Sequence, residues 1–278
     1  MRVGVPGNVL PRADHGAAMA ARRSRGAKGD SGRLANRTAL VTGGSRRMGK
    51  TIALSLAREG ADVAITYRAR RRDAEGVVEV IRKMGRRAVA IRADLTRPAD
   101  CRRSVTTAAR TLGRLDILVN NVGEWVVKTV EATDLDEWRE VLDSNLTATY
   151  LCSQAAVRHM RKRGWGRIVN LGAAGAYRAH GTARMAAFYA AKAGIVAFSK
   201  SLAREVGPYG ITVNVVSPGV IQDPELPLAG ARRRTDPDNA VRRPGTGADV
   251  AAAVLFLVSD EAEFITGDVL GVTGGWLL

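Results

Sequence analysis

The chain has 278 residues, 46% of them apolar, and a formal net charge of +16. That length suits one large α/β domain with a substantial core, and no apolar run approaches the ~18 residues of a helical membrane span. Only two cysteines, Cys101 and Cys152, are present; their spacing excludes a metal knot or disulfide scaffold and fits reduced thiols in a cytoplasmic protein.

The positive charge comes from arginine clusters at 70–72, 86–87, 102–103, 161–163, 232–234 and 242–243. Such charge can attract nucleic acid or an acidic carrier protein. No single helix gathers it into a stripe and no nucleic-acid motif accompanies it, so it reads as an arginine-rich solvated surface.

Residues 1–35 are rich in Gly, Ala and Arg, lack periodicity and lack the apolar segment of a secretory signal. They are expected to form a disordered basic tail, with an early start site, a targeting peptide or an interaction arm as other readings. From residue 36 onward a single domain is expected. TALVTGG is a short apolar run ending in Gly, as a buried parallel strand should be. A helix pattern follows over 48–59, then the strand ADVAITY, a helix over 73–84 and the strand RRAVAIRADL. A helix over 98–112 leads to LDILVNNVG, and a long helix over 136–163 leads to GRIVNLGAAG. The last units are a helix over 183–206, ITVNVVSPG, a helix over 247–258 and DVLGVTGG. Strands alternate with helices and are apolar throughout, which implies a doubly wound, seven-stranded parallel sheet, an α/β Rossmann fold. Its ligand crevice lies at the C-terminal strand ends. The one long irregular stretch, 220–245, is expected to cover a pocket.

The first strand runs into T42-G43-G44-S45-R46-R47-M48-G49 and opens a helix. Such a turn brings backbone close to a ligand and points free N–H groups at it; a tight turn without a ligand is the other reading. Further on stand Asp94-Leu95, the run NNVG at 120–123, Asn145, Ser217-Pro218-Gly219 and the stretch Ala187 to Glu205, AFYAAKAGIVAFSKSLARE. Together these resemble the short-chain dehydrogenase/reductase family over roughly residues 37–276, and within it the β-ketoacyl-carrier-protein reductase relatives.

The resemblance implies a nicotinamide cofactor held by Gly43, Ser45, Arg46, Arg47, Met48, Gly49, Asp94, Leu95, Asn121, Gly123, Lys192, Pro218, Gly219 and Val220. Arg47 stands where the family usually has Gly, as in pteridine-reductase-like members. The second strand ends at Tyr67-Arg68 with no acid to accept from a 2′-hydroxyl. Arg46, Arg47 and Arg68 therefore point to NADP(H) rather than NAD(H).

The family's catalytic set is a tyrosine, a lysine, a serine and an asparagine. Lys192 and Asn145 match it. Four residues before the lysine stands Phe188, with Tyr189 one step out of register, and the serine position falls on Ala173. Adjacent helical residues point about 100° apart, so Tyr189 needs a local bulge to substitute. Candidate replacements for the lost acid are Tyr177, His180, Tyr189 and Glu124; Thr182 is the other hydroxyl between Asn170 and Phe188. Glu124, Trp125, Tyr177 and His180 are expected around a substrate pocket. No His, Cys and carboxylate cluster forms, so no metal site is expected. The apolar C-terminus, GGWLL, is costly in water, and the resemblance implies its burial at the interface of a homodimer or homotetramer.

The expected function is an NADPH-dependent ketone or quinone reductase of atypical mechanism, acting on an aromatic polyketide-like or other secondary-metabolite substrate. The rival is a non-redox cyclase, isomerase, dehydratase or silent partner on the same scaffold. Nucleic acid and membrane are not expected partners.

Overall fold

A computed structural model describes residues 32–277. Most of the expected basic tail lies outside these residues. Its last four do not behave as a tail, however. Leu34 is buried, its N–H donates to the Glu59 carbonyl at 2.7 Å, and Arg33 pairs with the Glu59 carboxylate. The compact unit thus starts at Gly32.

Seven strands form one sheet: β1 (Thr38–Val41), β2 (Asp62–Tyr67), β3 (Ala88–Arg92), β4 (Ile117–Asn120), β5 (Gly166–Leu171), β6 (Ile211–Pro218) and β7 (Val269–Val272). They lie in the order β3-β2-β1-β4-β5-β6-β7, and every neighbouring pair is parallel. The expected doubly wound topology is present. The direction of winding reverses between β1 and β4, so a crevice opens beyond their C-terminal ends.

Both sheet faces are covered. In β1, Ala39 and Val41 join a core with Ile52, Leu56, Val250 and Val254, while Leu40 between them joins the opposite core with Val105, Leu151 and Leu202. A strand buried on both faces has no position for polar alternation, which explains the continuous apolar runs. The first core is roofed by helices α1 (Arg47–Arg58), α2 (Arg71–Lys83) and α8 (Gly247–Val258). The second lies under α3 (Pro98–Leu112), α5 (Ala148–Arg161) and α6 (Ala186–Val206). A four-residue helix, α7 (Leu228–Ala231), interrupts the segment over 220–245.

The expected long helix over 136–163 is real but not uniform. It begins as α4 (Leu135–Leu142), under an Asp134–Glu137 capping box, and continues into α5 through a π turn at Asp143–Thr147. The extra backbone residue of a π turn re-aims the side chains it carries. Here those include Ser144 and Asn145.

A buried polar chain fastens the helices around the crevice to the sheet. Asn120 Nδ2 donates to Ser153 Oγ at 3.0 Å and to Asn170 Oδ1 at 2.8 Å. Asn170 Nδ2 donates to Ser199 Oγ at 2.8 Å, and Ser199 Oγ to the Ile195 carbonyl at 2.6 Å. The chain links α5, β4, β5 and α6, and it sets the helix carrying Lys192 against the sheet. Replacing Asn170 by Leu strands its partners away from water, so Asn170→Leu should lower the unfolding free energy by about 2 kcal/mol in a urea titration.

Candidate active site

Three strand ends are laced together at the mouth of the crevice. Thr42 Oγ1 accepts from the N–H groups of Asn121 (2.8 Å) and Val122 (3.1 Å), and Asn121 Nδ2 donates to the Thr42 carbonyl at 2.9 Å. Gly43 N–H donates to Thr66 Oγ1 at 2.9 Å. Helix α1 starts immediately after, with no side-chain cap at Arg46. The N–H groups of Met48 and Gly49, which have no helical partner, lie at the crevice with the positive end of the helix dipole.

Arg47 explains the usual glycine at its position. Its φ is +51°, in the left-handed region that costs a side chain about 1 kcal/mol. It is held there by its backbone N–H, which donates to Glu225 Oε1 at 2.9 Å, while Lys50 Nζ lies 3.2 Å from Glu225 Oε2. Its guanidinium sits 5.6 Å over the Trp125 ring.

The crevice has two chambers that share Gly43, Arg46, Val122 and Glu124. The smaller is about 320 Å³, and Ser45, Arg68, Arg70, Asp94 and Leu95 line it. The larger is about 970 Å³. Arg47, Met48, Gly49, Asn121 and Gly123 form one side of it, and Pro218, Gly219 and Val220 another. Trp125, Ala173, His180, Phe188 and Tyr189 form its remaining wall. An elongated cleft with uncapped N–H groups and a cation at its waist suits a dinucleotide: a purine nucleoside at the small end, a pyrophosphate at α1 and a reacting ring at the large end.

The reacting half is built on α6. Lys192 Nζ donates to the Leu171 carbonyl at 2.7 Å, and the side chain is 5% exposed. Burial alone pushes its pKa down to about 8. The Phe188 ring lies 5.4 Å from Nζ and meets Trp125 edge-on at 6.5 Å. Ala173 offers no hydroxyl. Asn145 is fully buried; its Nδ2 donates to the carbonyls of Glu124 (2.8 Å) and Val141 (2.9 Å), which turns Oδ1 away from both. Oδ1 has no partner and rests against Gly123, where a Cβ would come within 2.1 Å of it. Only glycine allows this approach.

The family model described as enoyl-(acyl carrier protein) reductase matches residues 43–277. The 3-oxoacyl-[acyl-carrier-protein] reductase FabG of Staphylococcus epidermidis is 36% identical over 86% of this chain and 98% of its own. The chain belongs to the short-chain dehydrogenase/reductase family. Another member, the short-chain reductase protein NovJ of Streptomyces niveus, is 36% identical over 85% of this chain and 92% of its own. A solved short-chain dehydrogenase from Burkholderia cenocepacia, in complex with NADP, superposes with a TM-score of 0.78 at 40% identity, covering 87% of this chain and 98% of that one.

Within this short-chain oxidoreductase most expected site residues converge, with four corrections. Tyr177 is not in the pocket; it is exposed, with Arg178 over its ring, because the turn after β5 carries it outward. Tyr189 lines the large chamber beside His180, with ring centroids 6.3 Å apart, but it does not move into register. Its N–H bonds the Met185 carbonyl in an unbroken α-helix, so residue 188 keeps the position facing Lys192. Lys192 lies behind Phe188 rather than on the chamber surface. Arg47 faces the large chamber, leaving Arg46, Arg68 and Arg70 in the small one.

Sequence reasoning missed Thr66, Ser144 and Trp276. The first two are hydroxyls in apolar or helical surroundings, and the last reads as part of a subunit contact yet lines the large chamber. Among the described residues, no group of three or more His, Cys, Asp or Glu could hold a metal.

Lys192 carries a testable signature. Below about pH 8 the fold buries an ammonium that the unfolded chain leaves in water. Between about 8 and the ordinary value of 10.5 the unfolded chain binds more protons, so stability at this site rises with pH. Lys192→Met should therefore be more stable than wild type at pH 7, by roughly 1–3 kcal/mol. In urea titrations that advantage should shrink as pH is raised from 8 to 10.

Proposed function

We propose that this oxidoreductase is an NADP(H)-dependent ketone or quinone reductase whose proton does not come from residue 188. One observation carries the reading: the ring facing Lys192 is phenylalanine, which has no hydroxyl to donate. The NADP held by the Burkholderia structure and the arginines of the small chamber support the cofactor.

A bound nicotinamide coenzyme would supply hydride. Arg46 and the α1 N-terminus would hold its phosphates, and Asp94 its adenine end. The Lys192 ammonium, buried behind Phe188, would keep positive charge near a developing alkoxide. Phe188, Trp125 and Trp276 give the large chamber aromatic walls, which favours a flat aromatic substrate. A hydroxyquinone or hydroxy-ketone of the aromatic polyketide kind brings its own acidic hydroxyl beside the carbonyl and removes the need for a tyrosine. Thr182, His180 and Tyr189 lie in the same wall and can orient that hydroxyl.

The loss of both hydroxyls, at Ala173 and Phe188, also favours a second reading, a non-redox enzyme or silent partner on this scaffold. We further infer a cytoplasmic homodimer or homotetramer, with apolar residues such as Phe256 and Phe264 as subunit contacts. Phe264 is 99% exposed on the single chain.

Oxidation of NADPH with hydroxynaphthoquinones and with a simple β-keto ester separates the readings. The reductase should turn over the quinones and barely touch the ester. Phe188→Tyr should raise the rate on the ester by about tenfold or more, since a positioned general acid contributes about 10²- to 10⁴-fold. Tyr189→Phe should leave quinone turnover within a few-fold of wild type. Tight NADPH binding without turnover of any activated carbonyl supports the silent-partner reading, and abolition by Tyr189→Phe would return the chain to ordinary carbonyl reductase chemistry.

A further inference from the structure

Three guanidiniums line the small chamber, and they are not equivalent. Arg46 has no ion pair among the described residues, and Arg70 lies 3.9 Å from Asp73. Arg68, at the end of β2, faces two carboxylates. Its Nη2 is 3.6 Å from Glu124 Oε1 and its Nη1 is 3.9 Å from Glu140 Oε1. Glu124 lines both chambers and comes from the end of β4, across the cleft from Arg68. Glu140 belongs to α4 and lines neither chamber.

The backbone at Glu124 is fastened at two points. Its N–H donates to Ser144 Oγ at 3.3 Å, and its carbonyl accepts from Asn145 Nδ2. Both partners stand on the π turn, so the local geometry of the long helix sets where Glu124 points.

We propose that Glu124 is a specificity-determining residue that counteracts the preference for NADPH. The proposal rests on the reading that the small chamber takes the adenosine ribose. A 2′-phosphate arriving there carries about two negative charges; it meets Arg46 unpaired but must draw Arg68 away from Glu124, and the released carboxylate then repels it. A 2′-hydroxyl has the opposite relation to Glu124, because it donates a hydrogen bond to a carboxylate, as the acid at the end of the second strand does in NAD-binding Rossmann sites. Here that acid comes from the neighbouring wall, opposite an arginine that favours phosphate. The net effect is a chain that tolerates both coenzymes, with NADPH favoured less than its arginines alone would dictate.

Dissociation constants for NADPH and NADH, measured by isothermal titration on the full chain, test this. Exposed ion pairs are individually weak, so the expected changes are modest. Glu124→Gln should tighten NADPH about three- to tenfold and leave NADH unchanged or weaker. Arg68→Gln should weaken NADPH by a similar factor. In the double variant the gain from Glu124→Gln should shrink to under twofold, because its effect acts through Arg68. Glu140→Gln should change the NADPH-to-NADH ratio less than Glu124→Gln does. An unchanged ratio in Glu124→Gln, or a gain that persists in full without Arg68, overturns the proposal. Wild-type chain that binds neither dinucleotide overturns the cofactor reading itself. A chain that binds NADPH but does not respond to Glu124→Gln leaves that reading standing and removes only this inference.

Discussion

A buried ammonium without a carboxylate beside it is the interaction on which the active half of this fold depends. Lys192 is held by the Leu171 carbonyl at the end of β5, under a phenyl ring, and burial keeps its proton loosely bound. An isolated buried charge is costly, and a fold retains one only where its surroundings are rigid enough to impose it. That rigidity comes from below. The chain Asn120–Asn170–Ser199 ties α6 to the centre of the sheet without using any group that faces the cleft. Structural and chemical polar groups are thus separated by one layer, and the cleft residues can vary while the ladder beneath them stays. Phe188 and Ala173 both line the large chamber and belong to this upper layer alone.

The π turn organises the opposite wall. Ser144 and Asn145 hold the backbone at Glu124, and the missing side chain of Gly123 makes room for the Asn145 amide. Two consecutive side chains then reach to different places: Glu124 to Arg68 in the small chamber, and Trp125 to Arg47 and Phe188 in the large one. One short loop therefore touches the ends of β2, the start of α1 and the face of α6.

The fold was legible in the sequence because strands buried on both faces leave a simple trace: apolar runs cut by glycine. The resemblance to the family picked out the glycine turn, Asp94, Asn121, Asn145, Lys192 and Pro218, and the fold sets each at a strand end or on a helix facing the sheet. What was not legible depends on backbone detail. A π turn leaves no mark in helical periodicity, so 136–163 reads as one even helix. Arg47 reads as a cofactor cation beside Arg46, yet its left-handed backbone sends the side chain over Trp125 instead. Tyr177 and His180 share a turn and look alike in sequence, but only His180 lines the chamber. The role of Glu124 was out of reach because its partner Arg68 lies on another strand, and only the assembled sheet brings the two across the cleft.

The Glu225 carboxylate has a mechanical meaning. It stands in the long segment whose first residues, Val220, Ile221 and Pro224, line the large chamber, and it holds α1 at two points, the Arg47 amide and the Lys50 ammonium. Thr51 adds a third, donating to the Pro224 carbonyl at 3.4 Å. The start of this segment is thus fastened to the first turn of α1, and the two together bound one side of the large chamber.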